Sequence, residues 1–170
     1  MAGGSRLRAW GKALGVLIVV VAVLTACAGP YQYYEGTGLH DATTAEVAGG
    51  WENVEGTRVV LRKDGTALLE NLDGQDFDFE DGWRLSGTGT WQLTDDDGGG
   101  QAVRLTLTTR TRVEKRSSAP VADPSAPEPP STYSWSFYMD RDPHDGPVLF
   151  FMYGDPDIGN MYVMTRKTGS

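Results

Sequence analysis

The sequence predicts an all-β domain, a small antiparallel up-and-down barrel of about eight strands, with a sandwich of two sheets as the alternative on the same strands. Three observations carry this. Apolar residues recur with a period of two along most of the chain after Glu46. Turn-forming residues separate these runs at hairpin length. No window of about 11 residues or more shows the 3.6-residue spacing of a helix.

The first residues have another purpose. Arg6, Arg8 and Lys12 precede an apolar run from Ala13 to Leu24 without a single acid. Twelve helical residues span about 18 Å, short of the ~30 Å of a bilayer core. A basic start, a short apolar middle and small residues at its end describe a secretory signal peptide over residues 1–26. Leu24-Thr25-Ala26-Cys27 then resembles the lipobox of bacterial lipoproteins. That resemblance implies cleavage before Cys27 and a diacylglycerol on its sulfur, with N-acylation as a further step. It places the mature chain on the extracytoplasmic face of the cell membrane. Cys27 is the chain's single cysteine, so it has no internal disulfide partner.

Residues 27–170 keep all 23 acids but 12 of the 15 bases, a net charge of −11. Such a surface disfavours nucleic acid and anionic lipid headgroups, and favours solubility and cationic partners. Residues 27–45 lack periodicity and read as a flexible tether, leaving 46–170 for the β domain.

The strands follow in order. Residues 48–53 open the domain. RVVLRKDGTALLENL is two strands, 57–63 and 66–71, about Asp64-Gly65, a favoured hairpin dipeptide. WRLSGTGTWQL places Trp83, Leu85, Gly87, Gly89, Trp91 and Leu93 on one face of strand 83–93. QAVRLTLTTRTRV, 101–113, sets Val103, Leu105 and Leu107 against Arg104, Thr106 and Thr108. TYSWSFYM, 132–139, sets aromatics against serines. PVLFFMYG, 147–153 in its strand part, is continuously apolar, as for a strand covered on both sides. NMYVMTRK supplies the last strand, 160–166. Between the fifth and sixth strands, residues 114–131 hold five of the chain's nine prolines and read as a disordered loop within one domain.

Gly49-Gly50-Trp51 resembles the G-x-W motif of lipocalins and related calycin barrels, and Arg166 stands on the last strand where that superfamily often carries an arginine. The resemblance implies that Trp51 closes the barrel base and that Arg166 stacks on it. The phrase GDPDIGNMYVMTR is similar to the ending of a group of actinobacterial lipoproteins.

A meander alternates its loops between two ends. The loops after the third and seventh strands therefore share a rim, opposite the tethered base. Asp73, Asp76, Asp78, Glu80, Asp81, Asp155 and Asp157 fall in them, with Asp76, Asp78, Asp155 and Asp157 as the candidate acidic rim. Asp76–Gly82 does not keep the spacing of an EF-hand, so no metal site is expected there. Its alternation reads as a short strand with Phe77 and Phe79 inward.

Catalysis finds no support. His40 lies in the tether and His144 in a turn, and no G-x-S-x-G or nucleophile–base pattern occurs. The expected function is non-enzymatic and without a cofactor beyond the lipid on Cys27. Two forms are open. The first is a surface-anchored binding module for a small apolar ligand or envelope component, motivated by aromatic lining from Trp91, Tyr133, Trp135, Phe137 and Phe150. The second is an interaction protein with a filled core that recognises another envelope protein through its acidic rim or Pro-rich loop.

Overall fold

Alternating strands joined by short hairpins leave two exposed edges unless the first strand meets the last. Here they meet. A computed structural model of the chain describes residues 39–96, 100–116, 128–142, 146–154 and 160–167, all within the compact unit Gly36–Ser170. They form a closed eight-stranded barrel in sequential order: β1 (Gly49–Glu52), β2 (Arg58–Leu61), β3 (Thr66–Asp73), β4 (Trp83–Asp96), β5 (Gly100–Lys115), β6 (Tyr133–Asp142), β7 (Gly146–Met152) and β8 (Met161–Arg166). Every neighbouring pair is antiparallel. Closure rests on Trp51 opposite Arg166 and Glu52 opposite Thr165. The Lys167 amide adds a bond of 3.0 Å to the Gly50 carbonyl. A sheet that returns to its own first strand is a barrel, so the sandwich is excluded.

The inner face is filled. Trp51, Trp135, Phe137, Phe151, Leu69, Leu85, Leu105 and Met139 are each less than 2% exposed. Of the aromatics expected to line the barrel, Phe150 instead faces outward, its ring 5.6 Å from that of Tyr138, its cross-strand partner.

The longest ladder, β4 with β5, contains two irregularities beside Gly87 and Gly89. A Cβ at Gly89 would stand 2.0 Å from the Thr106 carbonyl oxygen, and one at Gly87 2.1 Å from that of Thr109. The SGTGT sequence thus lets two backbones approach where the sheet bends into a closed wall. Gly89→Ala should lower the unfolding free energy by about 2–3 kcal/mol. Denaturant midpoints of the two proteins check this, and an unchanged midpoint would mean that the strands do not press together there.

The domain begins earlier than the composition implies. Residues up to 45 were expected to be tether, but structure is established by Leu39. The Leu39 amide donates to Met139 O (3.3 Å) and its carbonyl accepts from the Gln101 amide (2.6 Å). The Gln101 side chain holds both the amide and the carbonyl of Ala42. Arg141 reaches Asp41 at 2.9 Å and Glu46 at 3.1 Å. A single helical turn, α1 (Thr44–Val47), capped by Thr43, then leads into β1. Apart from the Thr43 cap, these bonds connect residues about 60 to 100 positions apart, so residue periodicity carries no trace of them.

β5 extends through Lys115, past the expected start of the Pro-rich loop at 114. Arg110 donates to the carbonyls of Pro129 and Pro130, tying the far end of that loop to the same strand. Residues 117–127 of the loop lie outside the described residues.

Candidate functional site

The two ends of the barrel are built differently. The base receives α1 and β1. Trp51, 1% exposed, donates its indole N–H to Val47 O at 3.0 Å. Arg166 lies with its guanidinium carbon 5.3 Å from the Trp51 ring centroid. It also donates to the carbonyls of Glu46 and Ala48.

The mouth carries the loop Gly74–Gly82, between β3 and β4. A bulge precedes it, with Asn71 at φ 55° and a register shift between Leu69 and Leu72. Asp73 follows and is fully buried, which corrects its expected place among the solvated acids. Arg84 Nε lies 3.1 and 3.2 Å from its two carboxylate oxygens. Arg116 binds one oxygen through Nε (2.9 Å) and Nη2 (2.5 Å). The Tyr162 hydroxyl donates to the other at 3.0 Å and meets Thr57 Oγ1 at 2.5 Å. The Trp135 indole donates to the Asp73 carbonyl at 2.7 Å. Side chains from or beside β4, β5, β6 and β8 thus converge on one residue at the end of β3, with Thr57 beside β2 bracing Tyr162.

A carboxylate saturated by two guanidiniums and a phenol has no spare lone pair for a substrate. Its chemistry is that of a lock. Nothing local in the sequence reveals it, since Asp73 and Arg116 lie 43 residues apart. Of the basic residues Arg110, Arg112, Lys115 and Arg116 along β5 and just past it, Arg116 alone reaches Asp73. That guanidinium also sits 3.5 Å over the Phe79 ring.

The rest of the loop departs from expectation. Phe77–Phe79 is a 3-10 turn, not a strand. Asp76 enters it at φ 52° and breaks the alternation. Phe77 is 68% exposed, whereas Phe79 turns inward and stacks on Tyr153 at 3.8 Å. Asp76 and Asp78 are exposed at the mouth. The Asp76 carbonyl accepts from Gly154 N (3.2 Å), so the loops after β3 and β7 share one end. Asp155, Asp157 and His144 lie outside the described residues, as do Leu24, Thr25, Ala26 and Cys27.

Burial holds two phenols in their protonated form. Tyr162 is pushed above the ordinary value near 10, first by burial and then by the Asp73 charge. Tyr133 is pushed up by burial and by its 2.7 Å bond to Asp78. A group whose folded pKa is raised contributes stability below its unfolded pKa and loses it above. Stability should therefore fall as pH rises from about 10. Phenolate absorbance should show two of the seven tyrosines ionising only with unfolding. Seven phenols titrating together near 10 in folded protein would overturn this.

On the outer wall, a groove of about 450 Å³ crosses β4, β5 and β6. Register sets Thr90, Thr106 and Ser134 in one row and Gln92, Arg104 and Ser136 in the next. The segment Gln75–Asp76 forms one bank. It is pinned there by the Ser136 amide donating to Gln75 Oε1 (2.8 Å) and the Gln75 amide donating to the Tyr133 hydroxyl (3.1 Å). The serine and threonine alternation was legible as an outward face, but the bank that turns this face into a groove was not.

No family model, curated protein or solved structure matches the chain.

Proposed function

We propose that the protein is a non-enzymatic binding module, lipid-anchored through Cys27 on the extracytoplasmic face of the cell membrane, that recognises its partner on the outside of a filled barrel. The observation that carries this reading is the occupied interior. Large side chains pack the inner face, and the Asp73 cluster stands at the mouth. A small eight-stranded barrel filled in this way leaves recognition to its surface. Of the two functional forms, this favours the interaction protein over an apolar-ligand carrier. The anchor rests on the lipobox-like Leu24–Cys27. Two acyl chains at about 0.8 kcal/mol per buried CH₂ hold a protein firmly without help from its negative surface. The exposed Phe77, with Asp76, Asp78, Glu80 and Asp81 around it, makes the rim a surface suited to a cationic envelope protein.

The test is native mass spectrometry of the full chain, expressed in its own host and extracted from the membrane in detergent. The expected mass is that of residues 27–170 plus acyl groups, with no co-purifying apolar molecule. A mass that includes residues 1–26 overturns the anchor, and a bound apolar molecule overturns the filled barrel.

A further inference from the structure

The outer groove sets hydroxyl, amide and guanidinium side chains beside Trp91 and Trp135, and its charged groups are unspent among the described residues. Arg104 is exposed, and its guanidinium has no hydrogen-bond or ion-pair partner among the described residues. The Asp76 carboxylate likewise makes no side-chain hydrogen bond or ion pair among them. Other charges nearby are engaged: Asp78 accepts from Tyr133, Arg84 and Arg116 hold Asp73, and Arg110 holds Glu128. One free cation and one free anion thus line the same groove, separated by hydroxyls and the Gln92 amide.

The spacing between them follows from the sheet. Gln75 bonds to β6 at Ser136, and Ser136 is opposite Arg104 on β5. One strand spacing of ~4.8 Å separates Ser136 from Arg104, and the Gln75 side chain with its 2.8 Å bond adds a similar reach, so the bank's backbone stands about 10 Å from that of Arg104. A free amino acid holds its ammonium and carboxylate far closer than that. An extended peptide advances ~3.3–3.6 Å per residue, so three residues bridge the distance. The floor between supplies donors and acceptors for the intervening amides. A zwitterion also escapes the repulsion that the net charge of residues 27–170 imposes on a purely anionic ligand. The bank is held by its own hydrogen bonds, so binding need not order it.

We infer that this groove binds a short peptide with free ends, about three residues long, its ammonium at Asp76 and its carboxylate at Arg104. This deepens the reading above, since it rests on recognition at the outer wall.

The probe is tri-alanine, titrated calorimetrically into the full chain in detergent beside its N-acetylated, C-amidated and doubly blocked forms. Saturable binding is expected for the free tripeptide, weakened about tenfold by blocking either end. Arg104→Gln should erase the preference for the free carboxylate while keeping that for the free amine. Asp76→Asn should do the reverse. Both side chains are exposed, so folding survives the substitutions, and the end-specific pattern is one that general destabilisation cannot mimic. Equal affinity for free and doubly blocked peptide, or no saturable heat at millimolar peptide, overturns the inference. A chain that is processed, acylated and free of apolar ligand, yet blind to tri-alanine, loses this ligand class alone and keeps the outer-surface reading.

Discussion

Asp73→Asn is expected to cost about 3–5 kcal/mol of folding stability, the largest single effect available at the mouth. The carboxylate has no exposed surface, and the side chains of Arg84 and Arg116 are only 12% and 11% exposed. The amide keeps the shape but removes the charge. It leaves two guanidiniums side by side, each only about a tenth exposed, with Glu55 on Arg84 as the remaining counter-charge. The Tyr162 hydroxyl and the Phe79 ring over Arg116 lose their common anchor as well. Removing one partner of a buried pair is costly, whereas replacing the set by apolar groups of similar volume often is not. The double variant Asp73→Asn with Arg116→Met should therefore recover part of the loss. Urea denaturation of the three proteins measures it. A loss under about 1 kcal/mol would be the signature of an exposed ion pair and would remove the lock. Salt separates the cases too: the Asp73 cluster should resist screening, whereas Arg141 with Asp41 and Glu46 should weaken.

The position of Asp73 also shows where sequence reasoning stops. Strand number and order were legible because period-two alternation and Asp64-Gly65 are local signals, and the eight segments lie within a few residues of those expected. The bulge at Asn71 is not local. It shifts the register of β3 on β4, places Asp73 opposite Arg84, and turns an acid that reads as loop surface into the centre of the mouth. Phe77 and Phe79 show the same limit. Their alternation is that of a strand, yet the turn opened by Asp76 sends one ring to solvent and the other against Tyr153. Residues 39–45 read as linker because their order depends on Gln101 and Arg141, about 60 and 100 residues away. The outer groove was hidden for a related reason. Outward serines and threonines look alike on any solvated strand, and only the Gln75 contact to β6 gives that face a bank.

Trp51→Ala is the second large effect, expected at about 3–5 kcal/mol. The indole is 1% exposed, and its loss opens a cavity at the base and orphans the Val47 carbonyl. It also removes the surface under Arg166, a contact of about 0.5–2 kcal/mol. Arg166 has further work, since it binds the carbonyls that end α1. Gly49 explains how it reaches them: at φ 146° a Cβ there would stand 2.7 Å from the Arg166 Nη2 atom. Gly-Gly-Trp on β1 and the arginine on β8 are therefore one device, with the glycine keeping the path clear for the guanidinium. A double-mutant cycle tests the coupling. Arg166→Ala should cost less in the Trp51→Ala background than in the parent, by the energy of the shared contact. Strictly additive costs would mean that ring and guanidinium act independently. The seam between β1 and β8 has two register pairs, so weakening it exposes two strand edges at once. Trp51→Ala should therefore also raise the protein's tendency to self-associate, measurable by light scattering below the denaturation midpoint. Gly89→Ala, which strains the β4–β5 ladder away from the seam, should destabilise without that tendency.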